Sequence, residues 1–276
     1  MSNLQKRTLA AAIYFPLLLL AANDSMAFAL YMALVLGCCW HEYLSFRFVP
    51  VKFSDWFFHF FQILLGSLPA IFAAIGSTAI AGLSILFLFL QWKVVQGILD
   101  QKSLKEILEG LGFHIFGALY LTLSIWLLVE IQRTPNGREA IWFLLFTVAI
   151  TDTAAYFAGK QFGKTPFFQH ISPSKTWEGA AGGISGAMVL SVVIYFVFRH
   201  QSLNLPPLPI CLVMAAVIAV TSIFGDLFES LIKRSYGVKD SGKLIPGHGG
   251  VLDRFDGVIF AAVPMFFYVI LRGGFR

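Results

Sequence analysis

The sequence predicts an all-α polytopic membrane protein of about nine transmembrane helices, with eight as the alternative count. Three observations carry that expectation. Hydrophobic residues fill 58% of the 276 positions and charged residues 13%, at a mean hydropathy of +0.77; a soluble domain carries roughly 25% charged residues. The apolar residues gather in nine runs, at 8–22, 26–46, 57–75, 77–92, 113–131, 139–159, 177–198, 209–232 and 257–271, and about 20 such residues cross a bilayer as helix. With nine spans and the N-terminus inside, fifteen of the twenty Lys and Arg fall on one side, the side that the positive-inside bias assigns to the cytoplasm.

Taken in order, the chain opens on MSNLQKR before an apolar run. Further spans follow and no small-residue cleavage site does, so this is expected to be a retained first helix. In the second run, Cys38-Cys39 is apolar filler, and with Cys211 gives an odd count that argues against a disulfide framework. His41-Glu42 near its end reads as a satisfied interfacial pair rather than a contact to substrate. The third and fourth runs meet at Gly76-Ser77, which is why eight spans is the alternative. Residues 93–112 carry Lys102, Lys105, Glu106 and Glu109 at helical spacing; a segment lying along the interface would show this pattern, but a solvated connector is the favoured reading. Ser172 as N-cap and Pro173 as first helical residue predict a helix start there. Beyond it, Gly179/Gly183 and Gly182/Gly186 give the four-residue spacing of small residues that allows close helix packing. The helices of 1–138 and those of 139–276, which carry the motifs, are expected to form one integral membrane unit.

Charge is concentrated late in the chain. Residues 226–256 hold ten of the 35 charged side chains, with His248 and a Gly-rich turn at Pro246-Gly247-His248-Gly249-Gly250. In the run 209–232 and its extension, Ser222, Asp226, Ser230, Lys233 and Arg234 stack near one helical face. An acid inside a span is costly, at least about 2.5 kcal/mol at the helix centre, and marks a site by default. Asp253-Arg254-Phe255-Asp256 follows at the mouth of the last run. Hard cations such as Mg²⁺ take a few carboxylates plus substrate phosphates, and Asp226 and Asp253, one from each flanking helix, are the candidates to converge on one. Glycine amides at 247, 249 and 250 suit phosphate oxygens. Upstream, Asp152 interrupts an apolar helix, and Ser174 and Lys175 stand beside the expected helix start. No basic, aromatic-interleaved soluble segment exists, so nucleic acid is not an expected partner.

The segment Ser230-x-Ile232-Lys233-Arg234-x4-Lys239-Asp240-x-Gly242-x2-Ile245-Pro246-x-His248-Gly249-Gly250-Val251-x-Asp253-Arg254-Phe255-Asp256 resembles the signature of the phosphatidate cytidylyltransferases (CDP-diacylglycerol synthases) of bacterial type. Thr151-Asp152-Thr153 through Lys164, and Ser172-Pro173-Ser174-Lys175-Thr176-Trp177-Glu178-Gly179, resemble that family's upstream blocks. The likeness covers roughly 151–256. It implies transfer of the cytidylyl group of CTP to phosphatidic acid, giving CDP-diacylglycerol and pyrophosphate for phospholipid biosynthesis. It also implies a multi-pass protein of the bacterial inner membrane with catalytic loops facing the cytoplasm, and a homodimer. By the same resemblance Asp226 and Asp253 would hold an essential Mg²⁺, with a second cation such as K⁺ beside it. Lys175, Lys233, Arg234, Lys239 and Arg254 would neutralise the phosphates. Asp152 and Asp256 would be further ligands or orienters, Ser174, Gly249 and Gly250 would contact substrate, and His248 would donate to a phosphate or hold the turn.

Two other classes fit less well. An anion transporter would carry an internal repeat and midplane sites, but charge here lies at one face. A CDP-alcohol phosphotransferase would continue Asp256-Gly257 into its acidic helix motif, which is absent.

Overall fold

The computed structural model describes residues 16–47, 90–98, 100–199, 206–242, 244–245 and 249–272. Among these, six helices are long and apolar enough to cross a membrane: α1 (Ser25–Arg47), α2 (Leu104–Gln132), α3 (Gly137–Phe162), α4 (Trp177–Phe198), α5 (Leu208–Ser235) and α6 (Leu252–Leu271). They correspond to six of the runs in the sequence. The runs 57–75 and most of 8–22 and 77–92 lie outside the described residues, as does His248. The chain is thus an all-α polytopic membrane protein, with one addition, a ribbon of β1 (Pro166–Phe168) and β2 (Ser172–Thr176).

The chain forms two compact units. The first comprises residues up to 133 together with 240–252. In it, α1 buries a stripe of Phe28, Met32, Leu36, Trp40 and Tyr43, the spacing that puts side chains on one helical face. Trp40 Nε1 donates to Thr122 Oγ1 at 2.9 Å and Tyr43 OH to the Phe113 carbonyl at 2.8 Å, fixing α1 against α2. Gly117 makes room for this: a Cβ there would lie 2.6 Å from the Tyr43 ring. Immediately after it α2 widens into a π turn at Ala118–Leu123.

The start of α2 corrects the reading of 93–112 as a solvated connector in its second half, where Leu104 opens the helix. Ser103 and Glu106 form a reciprocal capping box, Glu106 N–H donating to Ser103 Oγ (3.3 Å) and Ser103 N–H to Glu106 Oε2 (2.9 Å). That cap satisfies free N–H groups at the first turn, so the helix runs unbroken from 104 and the charged residues 105, 106 and 109 form its first turns.

The second unit holds α3, the ribbon, α4, α5 and residues from 253 onward. Here α3 and α4 pack backbone to backbone, as the glycine spacing predicts. A Cβ at Gly183 would lie 2.9 Å from the Thr151 carbonyl oxygen, and one at Gly186 2.6 Å from Ala154 Cβ. Ala187, Ala215 and Ala219 form a small-residue core between α4 and α5, lined by Phe143, Ile150 and Ile184. The opposite face of α4 exposes Val189, Val193, Phe196 and Val197, as a lipid-facing surface requires.

The ribbon replaces the helix start expected at Ser172-Pro173. The residue before a proline is driven out of the α region, and a proline tolerates an edge strand. Ser172–Thr176 therefore extends antiparallel to β1, with Pro166 opposite Thr176 and Phe168 opposite Ser172. The helix begins later, where Thr176 (φ −126°, ψ 154°) accepts the Gly179 N–H at 3.1 Å. Glu178 then closes the ribbon, accepting from Lys164 N–H (3.1 Å) and from Thr165 N–H and Oγ1 (3.2 and 2.9 Å). Phe167 packs edge-on to Trp177 and faces Phe224 of α5.

Candidate active site

Three elements of the second unit gather its charges. On α5, Asp226, Glu229 and Lys233 follow at i, i+3 and i+7, which one helical face brings together. The first turns of α6 add Asp253 and Asp256, and β2 adds Lys175. α5 and α6 meet closely because neither carries a side chain at the crossing. A Cβ at Gly225 would stand 2.5 Å from the Asp256 carbonyl oxygen, and one at Gly257 2.6 Å from Ser222 Oγ.

Lys175 Nζ is 2.5 Å from Asp226 Oδ2, with both side chains partly exposed. This base comes to Asp226 from β2, the second strand of the ribbon. Lys233 is buried and bridges two carboxylates: its Nζ is 2.5 Å from Glu229 Oε2 and 2.6 Å from Asp253 Oδ1. Burying these charges is tolerable only because they are paired. Asp256 accepts the Gly257 N–H at 2.7 Å. The charges acting on Asp152 include Asp226, Lys175 and Arg254, so α3 contributes to the same electrostatic cluster.

Among the described residues, Asp226, Glu229 and Asp256 present carboxylate oxygens within 4.8 Å of one another. Glu229 is fully buried, and its Oε1 accepts no hydrogen bond from the described residues. Three oxygen donors at this spacing, one with a buried oxygen still to be satisfied, fit a hard divalent cation such as Mg²⁺. The sequence-predicted pair was Asp226 and Asp253. The structure gathers Asp226 with Glu229 and Asp256, and holds Asp253 one step away on Lys233.

Other sequence candidates lie at the margins. Arg234 is exposed and donates to the Val238 carbonyl at 3.2 Å. Ser174, Lys239 and Arg254 are exposed. In the first unit, Gly249 has φ +80°, a conformation glycine adopts without a Cβ penalty, and its carbonyl accepts the Ile245 N–H at 3.0 Å. Sequence reasoning missed Glu229. The available signal was its i, i+4 relation to Lys233, which makes an apolar-looking helix face an ion-paired one.

Comparison with known proteins identifies the family. The model of the cytidylyltransferase family matches residues 5–272. The chain is 31% identical over 278 residues to a phosphatidate cytidylyltransferase of Thermotoga maritima, covering 100% of both chains. It is 38% identical over 165 residues to one of Bacillus subtilis (59% of this chain, 60% of that one). A phosphatidate cytidylyltransferase of Helicobacter pylori is 45% identical over 147 residues (53% of each chain). The segment richest in charge, the site built on it and the full-length match lead to one assignment: the chain belongs to the cytidylyltransferase family and is a nucleotidyltransferase.

Proposed function

We propose that the protein transfers the cytidylyl group of CTP to phosphatidic acid, releasing pyrophosphate, at the cytoplasmic face of a bacterial inner membrane. The observation that carries this reading is the Asp226–Glu229–Asp256 carboxylate group, half-buried around a fully buried Glu229 and flanked by Lys175 and Lys233. Such a site offers oxygen ligands to a cation and ammonium groups to phosphate within one cluster. The relatives' names supply the substrates, and the fifteen-to-five distribution of basic residues supports the cytoplasmic orientation.

The chemistry asks little of the side chains beyond placement and charge. A phosphate oxygen of phosphatidic acid forms a bond to the α-phosphorus of CTP as the bond from that phosphorus to the bridging oxygen breaks, and the electron pair leaves with pyrophosphate. The attacking oxygen is already anionic, so no Ser-His pair is needed. Lys175 and Arg254 are the groups suited to hold the two polyanions together against their repulsion. Lys233 fixes Glu229 and Asp253 in orientation. Asp226, Glu229 and Asp256 would hold Mg²⁺, with Asp253 and Asp152 as further ligands or orienters and K⁺ as a second cation. When bound, the metal would neutralise charge that develops on the transferring and leaving phosphates.

The test is direct. The purified chain in detergent, given phosphatidic acid, Mg²⁺ and cytidine-labelled CTP, should move label into the organic phase and release one pyrophosphate per lipid labelled. Absence of transfer with every divalent cation tried would sink the proposal.

A further inference from the structure

Glu42 is 1% exposed, on a helix whose neighbours are apolar. The sequence singles it out beside His41; the structure gives it a task in the signature segment. Its carboxylate accepts from three donors of the signature segment about two hundred residues later. Ser241 Oγ donates to Oε2 at 2.9 Å, Val251 N–H to Oε1 at 2.8 Å and Leu252 N–H to Oε2 at 2.8 Å.

Leu252 opens α6. A helix ordinarily satisfies its first N–H groups with a cap from its own chain. Here α1 supplies the acceptor, along with a negative charge at the positive end of the helix dipole. Two motif glycines are shaped to this carboxylate. A Cβ at Gly242 would lie 2.6 Å from Glu42 Oε1, and one at Gly250 would collide with Glu42 Oε2 and Ser241 Oγ. Their smallness thus has a cause independent of phosphate contact. Hydrogen bonds to an ionised acceptor are roughly twice as strong as neutral ones. The chain passes from Leu252 directly to Asp253, and Asp256 follows one turn later. The first turn of α6 therefore sets the direction in which both carboxylates point.

We propose that Glu42 is a positioning residue for the transfer reaction, clasping residues 241–252 and fixing the first turn of α6 so that Asp253 and Asp256 are correctly presented. It acts through the loop and helix it holds. The proposal rests on the reading above that those carboxylates serve cytidylyl transfer.

The test compares wild type, Glu42→Gln and Ser241→Ala as full chains in detergent. Glutamine keeps the size but replaces one acceptor oxygen with a donor facing donors. Per folded protein, Glu42→Gln should lower kcat about tenfold or more, the loss typical when a supporting partner of a ligand is removed. The Mg²⁺ concentration for half-maximal rate should rise, while KM for CTP changes little. Ser241→Ala removes one donor only and should shift kcat and the Mg²⁺ requirement in the same direction by less. An inactive wild type would overturn the functional reading and, with it, the clasp's catalytic role. Given an active wild type, normal kcat and Mg²⁺ requirement in Glu42→Gln overturn the clasp's catalytic role. So does a fall in kcat with the Mg²⁺ requirement unchanged. If Glu42→Gln does not fold, Ser241→Ala decides, and wild-type kinetics there overturn the proposal.

Discussion

Lys233 and Asp253 join α5 to α6 through an ion pair 2.6 Å long, buried and spanning 20 residues of sequence. The same ammonium group holds Glu229 at 2.5 Å, so one cation compensates two buried carboxylates. Replacing it with an apolar side chain leaves both without a counter-charge. Lys233→Met should destabilise the protein by about 3–5 kcal/mol and abolish transfer, read by thermal unfolding in detergent alongside label transfer. Lys233→Arg keeps the charge but not the compact ammonium geometry, and should retain the fold better than the activity.

Asp226 has the opposite character, with a side chain 39% exposed. Asp226→Asn should leave the unfolding midpoint close to wild type when both are measured without divalent cations, while reducing transfer to background. Asp253→Asn should also abolish transfer, although its partial burial on Lys233 makes some loss of stability expected. Near-normal turnover in either variant would remove that residue from the catalytic set.

Glu229 separates metal binding from simple ion pairing. If its free Oε1 completes the cation site, Glu229→Gln should weaken Mn²⁺ binding, followed by electron paramagnetic resonance, by about tenfold or more. Unchanged Mn²⁺ affinity with lowered stability would assign Glu229 to Lys233 alone.

Chelation should act on stability as well as on rate. A ligand bound only to the folded state stabilises it in proportion to its occupancy, and here it would also separate mutually repelling carboxylates. Excess EDTA should stop transfer and lower the unfolding midpoint. Mg²⁺ should restore both, and Asp226→Asn should blunt the restoration.

The α5–α6 crossing gives a test in which no charge is altered. Gly225→Ala places a methyl against the Asp256 backbone carbonyl, which cannot move aside as a side chain would. Overpacking of this kind costs about 1–3 kcal/mol. The unfolding midpoint should fall, and transfer should fall with it, because the displaced backbone carries Asp256.

The apolar runs at 26–46, 113–131, 139–159, 177–198, 209–232 and 257–271 each match a helix to within a few residues at most boundaries, because span length and hydropathy are local properties. The largest boundary error, at α2, came from a charged first turn whose stability lies in the Ser103–Glu106 cap rather than in apolar content. The ribbon was missed for a related reason: Ser-Pro fits both a helix start and an extended strand, and the pairing partner at 166–168 decides between them. Asp226, Lys233, Asp253 and Asp256 stood out as charges wedged between apolar runs, and Lys175 as a base beside an expected helix start. Which carboxylate meets which partner did not, because the Lys175–Asp226 ion pair and the hydrogen bond from Leu252 N–H to Glu42 join residues distant in sequence.

The β1–β2 ribbon is short; its second strand is moored to α5 by the Lys175–Asp226 pair, and its first strand by the Phe167 ring against Trp177 and Phe224. Any ligand that claims the Asp226 carboxylate slips the polar mooring and leaves the aromatic one. The ribbon is thus a built-in gauge of that carboxylate's state. Its amide exchange should quicken when a cation occupies Asp226 and slow again when a polyanion takes up the released ammonium.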